Sequence, residues 1–166
     1  MPRKSNDPLK KMNVPWITKE GYLDLTKFPM DSILTQAVGN KEEELRSACQ
    51  ILGSMAQEGR TEAAVFLYGL VRFCDKDLVK KGFVIKALRD VPAPQTAEIL
   101  FEELNRIESS NTTRIYINTI LDTIKSLPLD LVERDLEKLK ADSRWSYKMK
   151  EKFNRVLHEI RHRNER

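Results

Sequence analysis

The stretch HEIRH, from His158 to His162, has the residue types and spacing of a helical zinc site. In the pattern H-E-x-x-H the two histidines lie on one helix face and bind the metal, while the glutamate acts as the general base of a metalloprotease. Here Arg161 and Arg163 place positive charge beside any bound cation, and the chain has no other histidine to complete the ligand set. We therefore predict that the pattern arose by chance and that the protein holds no metal.

No other catalytic pattern occurs in the sequence. There is no nucleophile elbow, no P-loop and no dinucleotide-binding fingerprint. The acidic runs Glu42–Glu44 and Glu102–Glu103 are predicted to be solvated helix surface, since carboxylates are common on exposed helix faces and in first turns. Cys49 and Cys74 are the only cysteines and are predicted to be buried thiols. The sequence predicts a protein that is not an enzyme and uses no cofactor.

The helix that carries HEIRH belongs to a repeated unit. VIKALR (84–89), ILDTIK (120–125) and VLHEIR (156–161) start 36 residues apart, and an earlier copy begins at Cys49. Each has apolar residues at the spacing i, i+1, i+4, which marks one face of a helix. A fixed period of this length is typical of stacked helix pairs.

Proline and glycine separate the predicted helices. Pro92, Pro94 and Pro128 follow copies of the repeat, and Gly59 is predicted to follow the earliest copy as a left-handed residue. The pattern predicts an all-α fold of eight helices in about four antiparallel pairs, over residues 30–166. The first helices of the pairs are predicted at 30–38, 61–73, 93–107 and 129–140, and the second helices at 41–57, 76–91, 112–127 and 144–162.

Residues 40–162 resemble short bacterial HEAT repeats. In ILGSMAQEGRTEAAVFLYGLV (51–71), Leu52-Gly53 ends one helix and an alanine-rich helix begins after a glycine turn; ALRDVPAPQTAEILFEEL (87–104) has the same form. Asp142, Trp145 and Lys148 match an Asp, Trp and basic residue of the family. This resemblance implies a right-handed α-α superhelix, or solenoid.

A second resemblance leads to a different ligand. YINTILDTIKS (116–126) is similar to the first helix of a pentatricopeptide repeat, a family with a similar period. Membership of that family would imply an RNA ligand.

Residues 1–29 do not fit the repeat and are predicted to form an N-terminal extended arm or cap. Three prolines among the first 15 residues favour an extended chain. Trp16 and Tyr22 belong to a more apolar stretch, WITKEGYLDLTKF (16–28). We predict that this stretch covers the open end of the first helix pair, as terminal repeats require. The alternative is a docking peptide for another protein.

The charge of the chain is unevenly distributed. Residues 1–20 carry +3 and residues 144–166 carry +5, while the net charge is +4, so the middle is mildly acidic. Arg89, Lys125 and Arg161 occupy one repeat position and are predicted to form a basic ladder. Near the last repeat, the ladder is predicted to be widened by Lys148, Lys152 and Arg155.

The functional prediction is a scaffold that binds a protein partner on its concave face. The alternatives are a nucleic-acid-binding module that uses the basic C-terminal helix and N-terminal arm, as in HEAT-like DNA glycosylases, and an accessory protein like the phycobilin lyases that contain such repeats. No apolar run is long enough to span a bilayer and no secretory signal is recognised. We therefore expect a cytoplasmic monomer with no membrane contact.

Overall fold

The computed structural model of the protein describes residues 15–20 and 22–166, so residues 1–14 of the predicted arm lie outside the described residues. Eight α-helices form within this part of the chain, which confirms the all-α prediction. They are α1 Asp31–Ala37, α2 Glu42–Gln57, α3 Thr61–Phe73, α4 Leu78–Ala87, α5 Pro94–Arg106, α6 Arg114–Lys125, α7 Leu129–Ala141 and α8 Tyr147–Asn164. A 3-10 turn, Leu88–Asp90, continues α4.

The even-numbered helices pack side by side. Helix α2 contacts α4, α4 contacts α6, and α6 contacts α8. Each of these four helices also packs against the odd-numbered helix that precedes it, because the loops between them are short. The result is a row of four helices, α2, α4, α6 and α8, with odd-numbered helices packed against it.

The repeated apolar positions are the ones that the row buries. Val84, Ile120 and Val156, which share one repeat position, are 0%, 0% and 3% exposed. The third apolar position, held by Leu88, Ile124 and Ile160, is equally buried. The 36-residue period therefore places equivalent residues in equivalent surroundings.

Gly59 ends α2 as predicted, but Gly53 does not. Gly59 has φ +96°, its N–H donates to Ala56, and the N–H of Arg60 donates to Met55, which is the hydrogen-bond pattern of a Schellman motif. The prediction that Leu52-Gly53 ends a helix is wrong, because α2 continues to Gln57. Gly53 is buried where α2 crosses the end of α4. A Cβ atom there would lie 3.0 Å from the carbonyl oxygen of Ala87.

Three arginines connect successive parts of the fold through backbone carbonyl groups. Arg144 donates to Leu104 at 3.2 Å and to Asn105, at the end of α5. Arg163 donates to Leu127 at 2.7 Å and to Lys125, at the end of α6. Because the last carbonyl groups of a helix have no partner within it, these arginines satisfy acceptors that would otherwise need water.

The third arginine, Arg60, holds the N-terminal segment against the turn before α3. It donates to the carbonyl groups of Leu25 and Phe28. Leu25 and Phe28 also pack against the core, and Trp16 meets Phe28 edge to face with ring centroids 6.2 Å apart. An isolated antiparallel bridge, Ile17 to Leu23, closes the segment.

Candidate ligand-binding surface

The row of even-numbered helices leaves three successive grooves on its exposed side, one between each pair of neighbours. We call this surface the groove face. The first and second grooves share Phe83 and Lys86, the two hollows of the third share Asn118 and Lys152, and α6 lines both the second and the third groove. A ligand lying across the row would meet all three grooves.

Basic side chains outnumber acidic ones in these grooves. The acidic residues that line them are Asp90 and Asp122. Among the described residues, seven of the basic side chains have no ion pair within 4 Å. These seven are Arg46, Lys86, Arg89, Arg114, Lys148, Lys152 and Arg155. Like charges held together without partners repel one another and attract an acidic ligand.

The predicted basic ladder is divided by the acids of the chain itself. Arg161 donates to Glu133 at 2.6 Å and to Glu137 at 3.1 Å, both on α7, and the hydrogen bond to Glu133 raises the pKa of Arg161. Lys125 lies 3.5 Å from Asp122 and 3.2 Å from Glu159. Only Arg89 of the three lacks an ion pair in the described part of the chain.

The other predicted basic residues do line the groove face. Lys148 and Lys152 border the groove between α6 and α8, and Arg155 borders the same groove one turn further on. The amino group of Lys152 donates to Asn118 on α6 at 3.1 Å. Sequence reasoning missed Arg46, Lys86 and Arg114, which belong to α2, α4 and α6 and fall outside the repeat position of the ladder.

The middle groove differs from its neighbours because apolar residues line most of it. Ile115 and Val79 are 80% and 58% exposed, and Phe83 is half-buried beside them. Lys86 is the one charged residue that lines this groove among the described residues. The groove face thus runs from basic to apolar to basic across the row.

The two aromatic residues predicted to cap the stack or dock a partner are placed differently from each other. Trp16 is partly buried against Phe28, whereas the side chain of Tyr22 is exposed. Both belong to the segment that Arg60 ties to the turn before α3. Trp145, beside the predicted basic residues, is 4% exposed and packs against Phe153, so it offers no stacking surface.

The histidines of HEIRH project into solvent. Both are exposed, and their rings stack with centroids 6.4 Å apart. Within the described residues, no group of three or more His, Cys, Asp and Glu side chains is arranged to hold a metal ion. Of the two thiols, Cys49 is buried, which raises its pKa to about 12, and Cys74 is only half-buried.

Glu103 is buried, so the prediction that it is solvated surface is wrong. It accepts hydrogen bonds from Lys81 of α4 at 3.0 Å and from the hydroxyl of Tyr116 of α6 at 2.7 Å. Its neighbour Glu102 is partly exposed and pairs with Arg106 and Arg72. The cluster joins three helices behind the middle groove, and Tyr116 itself forms part of the groove floor.

A fourth groove, which is apolar and lies apart from the groove face, runs between α1 and α3. Its volume is about 860 Å³, and Leu34, Val65, Phe66 and Phe73 contribute to its walls. Gly69 also lines it, with open space where a side chain would project.

Comparison of the chain with protein-family models, with curated proteins and with solved structures found no significant match. The resemblance of residues 40–162 to HEAT repeats thus stays a prediction. In the described part of the chain, no helix has the length and apolar composition needed to cross a membrane.

Proposed function

We propose that this protein is a non-enzymatic helical-repeat module that binds a protein partner along the groove face. In this proposal residues 30–166 form a HEAT-like, right-handed α-α superhelix of four antiparallel helix pairs, which acts as a cytoplasmic monomer. Stacked repeats present extended surfaces suited to binding other macromolecules.

The observation that supports this proposal is the concentration of unpaired cations on one surface. Away from the groove face, most basic side chains of the described residues pair with carboxylates, as Arg161 and Lys81 do with partners on neighbouring helices. Holding seven cations on adjoining grooves without carboxylate partners opposes folding through their mutual repulsion. A ligand that supplies the missing negative charge would remove this repulsion.

The test is a double charge reversal, Lys86→Glu with Arg155→Glu, compared with Lys76→Glu and Arg134→Glu. All four side chains are exposed and unpaired within the described residues, and both variants change the net charge equally. Exposed substitutions change stability by about 0.5 kcal/mol or less, so both variants should keep their helical circular dichroism.

In affinity capture from an extract of the source cells, we expect the groove-face variant to lose proteins that the wild type and the control variant retain. Equal capture by all three would contradict the proposal. Loss of nucleic acid in place of protein, with affinity that falls steeply with salt, would favour the nucleic-acid alternative.

A further inference from the structure

We propose that the groove face binds an extended acidic protein segment in which apolar residues separate two groups of carboxylates. This inference rests on the proposed function and specifies the chemistry of the partner. It follows from the order of the three grooves, from their spacing and from the exposure of the apolar side chains in the middle one.

The order of the grooves defines the pattern of the ligand. The groove between α2 and α4 contains Arg46, Lys86 and Arg89. The groove between α6 and α8 contains Arg114, Lys125, Lys148, Lys152 and Arg155. Between these basic grooves lie Val79, Phe83 and Ile115. A ligand crossing the row therefore needs negative charge at both ends and apolar groups in the centre.

The spacing of the helices sets the separation of the two acidic groups. Packed helix axes lie about 8–10 Å apart. The first and third grooves are two helix spacings apart, which is about 16–20 Å. An extended chain advances about 3.3 Å per residue, so the acidic groups should be about five or six residues apart.

The middle groove favours a protein ligand over a nucleic acid. Ile115 is 80% exposed, and a phosphate backbone gains nothing from contact with an aliphatic side chain. Single-stranded nucleic acid binds by stacking bases on exposed aromatic rings. The aromatic residues that line the middle groove are Phe83, which is half-buried, and Tyr116, which is 3% exposed. An apolar peptide side chain, by contrast, would cover Ile115 and Val79 and remove them from water.

The inference is tested with four fluorescent probes and the full chain. The first probe is a peptide of about twelve residues with glutamates at both ends and Leu, Val and Phe in the centre. In the second, Ser and Gly replace the apolar centre, and in the third, Gln replaces the glutamates. The fourth is a DNA duplex of about twenty base pairs. We expect the first peptide to bind about tenfold or more tightly than each of the other peptides and more tightly than the duplex at physiological salt.

Two protein variants assign the binding to the groove face. Ile115→Ser should lower the affinity for the first peptide by about tenfold and leave the affinity for the duplex unchanged, because it removes only the apolar contact. Lys86→Glu with Arg155→Glu should lower the affinity for the first peptide further. Lys76→Glu with Arg134→Glu should bind that peptide with the affinity of the wild type. Circular dichroism of each variant confirms that the helices are intact.

The outcomes separate this inference from the proposed function. Equal affinity for the first and second peptides, tighter binding of the duplex, or no binding of the first peptide would overturn the inference. If the groove-face reversal still abolished capture of native proteins, the proposed function would stand with a differently patterned partner. If that reversal changed neither capture nor peptide binding, both proposals would be wrong.

Discussion

Glu103 is a buried carboxylate held by two side chains from neighbouring helices. Taking a charge out of water is costly unless it is paired and hydrogen-bonded, and Lys81 and Tyr116 provide both kinds of contact. Burial, followed by the hydrogen bond to Glu103, raises the pKa of Tyr116 above its ordinary value of 10. The cluster therefore stabilises the packing of α4, α5 and α6 only while the phenol keeps its proton.

This dependence predicts a pH effect on stability. Because the pKa of Tyr116 is higher in the folded state than in the unfolded chain, its contribution is complete below pH 10 and is lost as the pH rises above that value. The variant Tyr116→Phe should lose about 1.5–3 kcal/mol of stability at neutral pH, as expected for a hydrogen bond to a charged group. Its stability should then fall less steeply than that of the wild type above pH 10, in urea unfolding measured from pH 8 to pH 11.

The exposed tyrosine Tyr22 supplies the control for that experiment. Tyr22→Phe should leave both the stability at neutral pH and its alkaline decline close to those of the wild type, since the ring is 72% exposed. If the free energy of unfolding fell equally steeply above pH 10 for the wild type and for Tyr116→Phe, Tyr116 would not be the source of the alkaline loss of stability.

Sequence patterns could not predict which charged residues are neutralised. Glu102 and Glu103 are adjacent and chemically alike, yet Glu102 is partly exposed and Glu103 is buried. What separates them is the position of Lys81, 22 residues earlier, and Tyr116, 13 residues later. Likewise, the sequence around Arg161 does not indicate an acidic partner. In the fold, α7 places Glu133 beside it. Local patterns contain no information about such partners.

At the scale of the elements, the helix bounds follow the sequence closely. The predicted helix at 61–73 is observed as α3 at Thr61–Phe73, and the one at 129–140 extends by one residue in α7. Apolar periodicity, Gly59 before α3 and Pro128 before α7 fix these bounds, because each acts within one or two turns. The helix predicted at 76–91 is shorter than expected, since α4 ends at Ala87 and tightens into a 3-10 turn.

Two of the helical glycines, Gly53 and Gly69, should respond to the same substitution in opposite directions. In a helix, alanine is favoured over glycine by about 0.5–1 kcal/mol. Gly69→Ala should gain this amount, because nothing lies within 4 Å of the new methyl group. Gly53→Ala should lose about 1–3 kcal/mol, because its methyl group would press on the Ala87 carbonyl at 3.0 Å and on Asp90 at 3.2 Å.

Chemical denaturation of both variants measures the two effects. The comparison controls for helix propensity, since the substitution is the same in each case. Stabilisation of Gly53→Ala would show that α2 and the end of α4 can move apart without cost, and would remove the explanation for a glycine at that position.

For the whole molecule, the repeat predicts that truncating equivalent core residues has similar consequences in different units. Leu88 and Ile124 share one repeat position, and both are 0% exposed. We expect Leu88→Ala and Ile124→Ala each to destabilise the protein by about 2–5 kcal/mol in urea or guanidinium unfolding. Ile115→Ala, at an 80% exposed residue, should change stability by about 0.5 kcal/mol or less. A small effect at either core position would show that the two residues are not equivalent.

The arginines that reach back to earlier carbonyl groups have a consequence for the kinetics of folding. The sequence separation is 32 residues for Arg60 and Phe28, 38 for Arg163 and Lys125, and 40 for Arg144 and Leu104. Closing loops of this length costs little more entropy than closing shorter ones, and no such bond requires the two ends of the chain to meet. Each helix pair can therefore dock on the pair that precedes it in the sequence. Refolding should be faster than in a chain of 166 residues whose core joins its two ends, because folding slows as contacting residues become more distant in the sequence.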